Sequence, residues 1–315
     1  MRSLVTGAAG FVGRHLTLHL KGLGHEVLGL VHPSEHHDGI SLEGVDRIEA
    51  ADLLDDEALG GAVERLAPDA IYHLAAFSNP ESSLTYARKT LETNILGTQN
   101  LLEAAKATGA APKVLLVGSA QQYGRVDETA QPITEERDQK PLTPYSVSKA
   151  SQELLGQRYF LSERLPVFWT RSFNHTGPGQ ADVYVCSSFA RQVAEVEKGA
   201  RSSEIQVGNL AARRDFLDVR DVARAYSAIL ERGQPGRAYN VCRGEAVSIQ
   251  EVLDTLVELS SVNVEVTVDP ERYHALDAPL IVGDVTRLHG DTGWTPRFSL
   301  KQTLEDLLND WRSKE

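Results

Sequence analysis

The run Ser3-Leu4-Val5-Thr6-Gly7-Ala8-Ala9-Gly10-Phe11-Val12-Gly13 constrains the fold of this chain more than any other segment. An apolar strand leads directly into three glycines at GxxGxxG spacing. Apolar residues at Val12, Leu16, Leu18 and Leu20 then predict a helix. Glycines at these points let the backbone turn tightly and approach a pyrophosphate at the helix N-terminus. Glycines also close ordinary turns, so the weight comes from the context of a strand before and a helix after.

That unit repeats in kind. Short apolar stretches at 3–6, 26–31, 47–50, 70–74, 114–118 and 167–172 read as strands, with helical patterns between them. The alternation predicts an α/β fold, a Rossmann-type doubly wound parallel sheet covered by helices on both faces. Ligands of such sheets sit outside the carboxyl ends of the strands. The glycine loop and Gly118-Ser119 both fall there. After Ser172 the pattern changes, beginning with a turn-rich Asn174-His175-Thr176-Gly177-Pro178-Gly179. Helices are expected at 187–198, 219–232, 248–260 and 299–311, a strand at 237–241, and a proline- and charge-bearing loop between the last two helices. The expected division is a cofactor domain at 1–170 plus about 211–240, and a smaller substrate domain at 171–210 and 241–315.

Tyr145 and Lys149 stand four residues apart in Pro144-Tyr145-Ser146-Val147-Ser148-Lys149, hence on one helix face. An ammonium beside a phenol favours the phenolate, so the pair is expected to lower the tyrosine pKa and serve carbonyl–alcohol proton transfer. Such spacing is common by chance on exposed helices. Its weight here comes from the glycine loop and from Ser119, in Val117-Gly118-Ser119-Ala120-Gln121-Gln122-Tyr123-Gly124, whose hydroxyl can bond a substrate oxygen together with Tyr145.

The second strand ends Val27-Leu28-Gly29-Leu30-Val31-His32-Pro33, without the acid that would hold a ribose 2′-hydroxyl and repel a 2′-phosphate. With Arg14 and His32 able to sit nearby, NADP(H) is the expected cofactor and NAD(H) the alternative. His32, His36 and His37 otherwise decorate a solvated loop, and neither they nor His15 and His19 have the ligand context of a metal site. Cys186 and Cys242 suggest neither a disulfide framework nor zinc. A formal charge of −12 across 315 residues argues against a nucleic-acid partner. No apolar run is long enough to span a membrane, and a strand directly after Met1-Arg2 leads us to expect a cytoplasmic enzyme without a signal peptide.

Taken together, these residues resemble the extended short-chain dehydrogenase/reductase family acting on nucleotide sugars, over nearly the whole chain. Arg171-Ser172-Phe173-Asn174-His175-Thr176-Gly177-Pro178-Gly179-Gln180 is similar to the signature of its GDP-4-keto-6-deoxy-D-mannose reductases. Val207-Gly208-Asn209-Leu210, Arg213-Arg214-Asp215-Phe216 and Tyr239-Asn240-Val241-Cys242 point the same way. The resemblance implies a catalytic set of Ser119, Tyr145 and Lys149. It implies a cofactor site of Gly7, Gly10, Phe11, Val12, Gly13, Arg14 and His32, with Asp52 and Leu53 flanking the adenine, and Leu74, Ala75, Ala76 and Ser172 beside the same two catalytic residues. It implies a GDP-sugar substrate held by Ser78, Ser119, Asn174, Val207, Asn209 and Arg214. In the late loop, where relatives often carry an arginine and an acid contacting the nucleotide, the corresponding places are His274 and Asp277 with Arg272 as a substitute, and the resemblance implies Arg272 and His274 in the substrate site. A homodimer built through the helix bearing Tyr145 is also implied.

Relatives of this kind reduce, dehydrate or epimerise. Dehydration requires an additional acid and base, normally carboxyl groups two and three residues before Tyr123, where this chain has Gln121 and Ala120. The expected reaction is therefore NADPH-dependent reduction of the C4 ketone of GDP-4-keto-6-deoxy-D-mannose to GDP-D-rhamnose. The alternatives are a 4-epimerase or a 4-ketoreductase on another nucleotide sugar, GDP-mannose 4,6-dehydration, and, outside enzymes, an NADP-sensing binding protein. An intact proton relay argues against the last.

Overall fold

The computed structural model describes residues 1–35, 41–260, 262–269 and 278–314. Up to residue 172 the chain runs β1 (Arg2–Thr6), α1 (Phe11–Gly22), β2 (Glu26–Val31), β3 (Arg47–Ala50), α2 (Asp56–Leu66), β4 (Ala70–His73), α3 (Pro80–Thr85), α4 (Ala87–Leu91), α5 (Gly97–Ala107), β5 (Lys113–Ser119), α6 (Pro144–Glu163) and β6 (Val167–Ser172). A π-helical turn, Glu92–Leu96, joins α4 to α5. The remainder runs β7 (Asn174–Thr176), α7 (Val185–Glu197), β8 (Glu204–Val207), β9 (Arg213–Asp218), α8 (Val219–Arg232), β10 (Ala238–Val241), β11 (Ala246–Ser248), α9 (Ile249–Glu258), β12 (Glu265–Val268), β13 (Leu280–Ile281), α10 (Thr286–Thr292) and α11 (Leu300–Ser313).

Seven parallel strands form the central sheet in the order β10-β6-β5-β4-β1-β2-β3. From β1 the chain winds outward through β2 and β3, then crosses back to β4 on the other side. The switch point lies between β1 and β4, where a doubly wound sheet opens a crevice. Apart from the edge strand β3, whose Arg47–Ala50 is only partly covered, strand side chains are mostly buried on both faces, as continuous apolar runs require. Leu28, Ile71, Val114 and Leu116 pack under α2, α5 and α6, and Val5, Val27, Tyr72 and Leu115 pack under α1 and α8. The helices start where polar caps allow. Asp55, Thr143, Asp218 and Ser299 each accept a backbone N–H of their own first turn, and Pro144 opens α6.

A third core joins Phe189 and Val193 of α7, Val252 and Leu256 of α9, and Leu304 and Leu308 of α11. Here β9 is the organising strand, pairing with β7, β11 and β13. Two features differ from the sequence reading. The first three residues of the turn-rich stretch form β7, paired to β9. The late loop contains β12, β13 and α10, and α10 does not side with the smaller part as expected, because its Leu288, with Trp294, packs into the core on the α8 side of the central sheet. These strands are two to four residues long. They are fixed by pairing partners distant in sequence, so no alternation marks them.

Candidate active site

The carboxyl ends of β1, β2, β4, β5 and β6 open into one cavity of about 1160 Å³. The glycine loop forms its floor. Gly7 adopts φ +70°, and a Cβ there would lie 2.9 Å from the Ala75 nitrogen. A Cβ on Gly13 would collide with the Gly7 carbonyl oxygen. Both positions thus require glycine for the loop to close and α1 to approach. Gly10 caps α1 with no side-chain acceptor, and Gly7, Gly10, Phe11, Val12 and Gly13 all line the cavity. A helix start with unclaimed N–H groups and no Cβ wall fits a pyrophosphate.

Beneath the loop, the imidazole of His73 is wholly buried between the Thr6 Oγ1 (2.9 Å) and Thr98 Oγ1 (3.0 Å). Burial and the Lys149 charge push its pKa down to about 3, so it stays neutral. Thr6 Oγ1 also accepts from the Ala75 nitrogen at 3.1 Å. On the π-helical turn, Asn94 accepts from Phe77 N (2.7 Å) and donates to Phe77 O (3.1 Å) and Ser148 Oγ (2.8 Å). These bonds hold the segment after β4, whose Leu74, Ala75, Ala76 and Ser78 line the cavity.

At the β2–β3 end the wall is made by His32, Ser34, Glu35, Asp52 and Leu53. His32 Nε2 lies 3.5 Å from Asp52 Oδ2, and its Nδ1 is 2.7 Å from Ser34 Oγ. The acid missing at the end of β2 is replaced by Glu35 from the following turn, which accepts the His32 N–H at 3.4 Å. Arg14, expected here, is not part of the cavity wall. Its Nε instead donates to the Ala9 carbonyl at 2.9 Å, closing the loop from outside.

Ser119 ends β5, and Tyr145 and Lys149 lie in the first two turns of α6, all three buried and facing the cavity. The Ser119 side chain lies near enough to the Tyr145 phenol to act on its pKa, while its Oγ accepts the Gln121 N–H at 3.2 Å. Contrary to the expectation drawn from the Tyr–Lys spacing, the tyrosine pKa is pushed up to about 12, because desolvation of the phenolate outweighs the effect of Ser119. Burial acts on the lysine in the opposite sense, lowering it to about 7. Its Nζ donates to Val117 O at 2.7 Å and Gln152 Oε1 at 2.9 Å. A protonated phenol and a readily neutralised lysine thus share one helix face. Ala120 and Gln121 continue the wall beside Ser119.

The wall continues through Ser172, which pairs with Ser119 in the β5–β6 register, and through Asn174, Tyr184, Arg214 and Tyr226. Ser172 Oγ and Tyr226 OH are 2.8 Å apart. Burial pushes the Tyr184 pKa up, and nearby Ser78 lowers it in part. Arg214 is anchored to the Ala278 carbonyl through Nη1 at 2.7 Å. Two expected substrate residues do not reach the cavity wall: Val207 is fully buried in the third core, and Asn209 Oδ1 accepts the Ala211 N–H at 3.1 Å within a turn. Arg272, His274 and Asp277, like His36 and His37, lie outside the described residues. The sequence reading did not single out Tyr184, Tyr226, Glu35 or Phe77. Nothing in their local spacing marks them, since they meet the site through tertiary packing. Among the described residues no cluster of His, Cys, Asp and Glu has the arrangement of a metal site, and no helix is long and apolar enough to cross a membrane.

Known proteins share this architecture. Residues 4–307 match the family model described as GDP-mannose 4,6 dehydratase. The chain is 38% identical over 313 residues to a GDP-6-deoxy-D-mannose reductase of Pseudomonas aeruginosa, covering 99% of this chain and 98% of that protein. A solved structure of RMD from Pseudomonas aeruginosa complexed with NADPH superposes with a TM-score of 0.87 at 37% identity, over 99% of each chain. UDP-glucose 4-epimerase of Thermus thermophilus in complex with NAD gives a TM-score of 0.88 at 29% identity, again over 99% of each chain.

Proposed function

The chain belongs to the GDP-mannose 4,6-dehydratase family, and within it we propose an NADPH-dependent reductase that converts the C4 ketone of GDP-4-keto-6-deoxy-D-mannose to the alcohol of GDP-D-rhamnose. One observation carries this reading: a complete Ser119–Tyr145–Lys149 set stands beside Ala120 and Gln121, an alkyl group and an amide where dehydration needs an acid and a base. The 38% identity to GDP-6-deoxy-D-mannose reductase supports it.

The glycine cradle and uncapped start of α1 hold the cofactor diphosphate, and the nicotinamide cofactor supplies the hydride when bound. Ser119 orients the ketone by donating to its oxygen. Tyr145, protonated at neutral pH because its pKa is raised to about 12, is placed to deliver its proton to that oxygen, and a bound nicotinamide would supply the hydride to C4. Lys149 would hold the ribose of a bound cofactor, and in its protonated form it would stabilise the phenolate left behind. Asn174 and Arg214 line the cavity where the GDP moiety would lie, and the arginine brings a positive charge to the diphosphate. Glu35 and Asp52 on the ribose wall favour NAD(H) as a second cofactor, since carboxylates accept ribose hydroxyls and repel a 2′-phosphate. We place the enzyme in the cytoplasm as a homodimer. Val147, Leu154 and Leu161, exposed at seven-residue spacing along α6, supply an apolar stripe for the second subunit.

The test is direct. Supplied with the keto sugar, the protein should consume NADPH one-to-one with alcohol formed. With GDP-mannose and a trace of NADP it should form no keto sugar and place no solvent deuterium at C5. Tyr145→Phe should lower turnover by about two to four powers of ten, the range for losing a general acid. Catalytic formation of the keto sugar from GDP-mannose would overturn the reductase reading.

A further inference from the structure

Behind Ser119 lies a buried polar cluster that takes no direct part in the chemistry above. Gln122, fully buried, accepts the Ser119 backbone N–H on its Oε1 at 2.7 Å. Its Nε2 donates to Glu153 Oε2 at 2.8 Å and to Gln139 Oε1 at 3.1 Å. Both amide hydrogens are therefore used, and the amide has one orientation. Glu153 belongs to α6, one turn beyond Lys149 and two beyond Tyr145. It is gripped by Arg171 of β6 through two bonds, Nε to Oε2 at 3.0 Å and Nη2 to Oε1 at 2.6 Å.

From this geometry we infer that Gln122 is the positioning residue for Ser119, tethering the serine at the end of β5 to the helix that carries Tyr145 and Lys149. The argument rests on what each half of the triad stands on. Ser119 sits where β5 gives way to a short 3₁₀ turn, and Tyr145 and Lys149 sit on a 20-residue helix. Ser119 and Tyr145 face one cavity, and the serine hydroxyl can act with the phenol only while the turn keeps its place against α6. The Ser119–Gln122–Glu153 chain supplies a direct polar link between the two, in a region from which water is excluded, where hydrogen bonds are strong and directional. The Arg171–Glu153 pair gives the chain a fixed end. Gln122 does not line the cavity, so its effect passes through Ser119.

The inference rests on the active-site reading of Ser119 given above, and a double-mutant cycle separates the two. Turnover at saturating NADPH and the NADPH dissociation constant are measured for the wild type, Ser119→Ala, Gln122→Leu and the double variant. Gln122→Leu should lower turnover by about ten- to a hundredfold, the cost of slightly misplacing a reacting group, with the NADPH dissociation constant within about twofold of wild type. In the Ser119→Ala background the same substitution should cost less than about threefold further, because the group it positions is gone. If Gln122→Leu does not give folded protein, the cycle is run with Gln122→Asn, whose amide is one methylene too short to span the gap. Losses that multiply, or Gln122 variants that turn over within about threefold of wild type, would overturn the inference. Full activity in Ser119→Ala would instead remove the active-site reading, and the positioning role with it.

Discussion

Lys149 is the residue at which burial and chemistry conflict most. An ammonium with an unfolded pKa of 10.5 is held at about 7 in the folded chain, and desolvation is the cause. Between those values the unfolded chain binds a proton that the folded chain does not. Unfolding therefore takes up a proton, and stability rises with pH across that window, by at most about 1.4 kcal/mol per pH unit. Below pH 7 both states are protonated and the cost of burying the charge is present in full. Lys149→Met should lose this slope. Denaturant titrations at steps between pH 7 and 9.5 should show wild type gaining stability relative to the variant as pH rises. Parallel curves would mean that Lys149 keeps its charge through the window. Tyr145 is the counterpart, kept protonated by the same burial. The Tyr–Lys spacing shows in the sequence which groups meet, but not the sign of the tyrosine shift. That sign depends on how deeply α6 is packed, which i, i+4 spacing does not encode.

At the scale of elements, each motif works because of the strand or helix end on which it stands. Runs such as Val27-Leu28-Gly29-Leu30-Val31 were legible as strands because both faces of a parallel sheet are buried, leaving no polar alternation. The glycine loop and the Tyr145 helix were legible for the same local reason. The Gln122–Glu153–Arg171 chain was not, because its members lie on three elements brought together only by folding. Val207 shows another limit. Its motif suggested a substrate contact, and the pairing of β8 with β12 places its side chain in the third core. The β2–β3 edge is the instructive intermediate. The sequence correctly lacks an acid at the strand end, yet the turn after it brings Glu35 into the same wall. An exposed carboxylate there should weaken a 2′-phosphate slightly through a solvent-screened contact. Glu35→Gln should therefore shift the ratio of kcat/KM for NADPH over NADH upward by about two- to fivefold. An unchanged ratio would place Glu35 away from the ribose.

For the molecule as a whole, the question is what covers the outer face of α6. One face of this helix is spent on the sheet and the catalytic groups: Tyr145, Lys149, Gln152 and Glu153 are all buried. The other leaves Val147, Leu154 and Leu161 at 39%, 62% and 75% exposure, with Leu96 of the neighbouring π-helical turn at 49%. Residues seven apart on a helix return to nearly the same azimuth, so the three form a stripe along most of the helix length, as a second helix would require. A stripe of this kind facing water costs solubility without contributing stability, which is why apolar patches of this extent mark interaction surfaces. A second copy of the chain, packing α6 against α6, is the occupant we propose. Leu154→Asp and Leu161→Asp together should place two charges of one sign in each half of a self-complementary interface, four across it. Light scattering coupled to gel filtration should then report a mass near one 34.5 kDa chain for the variant and near twice that for wild type. Tyr145 and Lys149 project from the opposite face of α6, so the monomeric variant should still bind NADPH. A wild-type protein that runs as a monomer at micromolar concentration would leave the stripe without its proposed partner and sink the dimer.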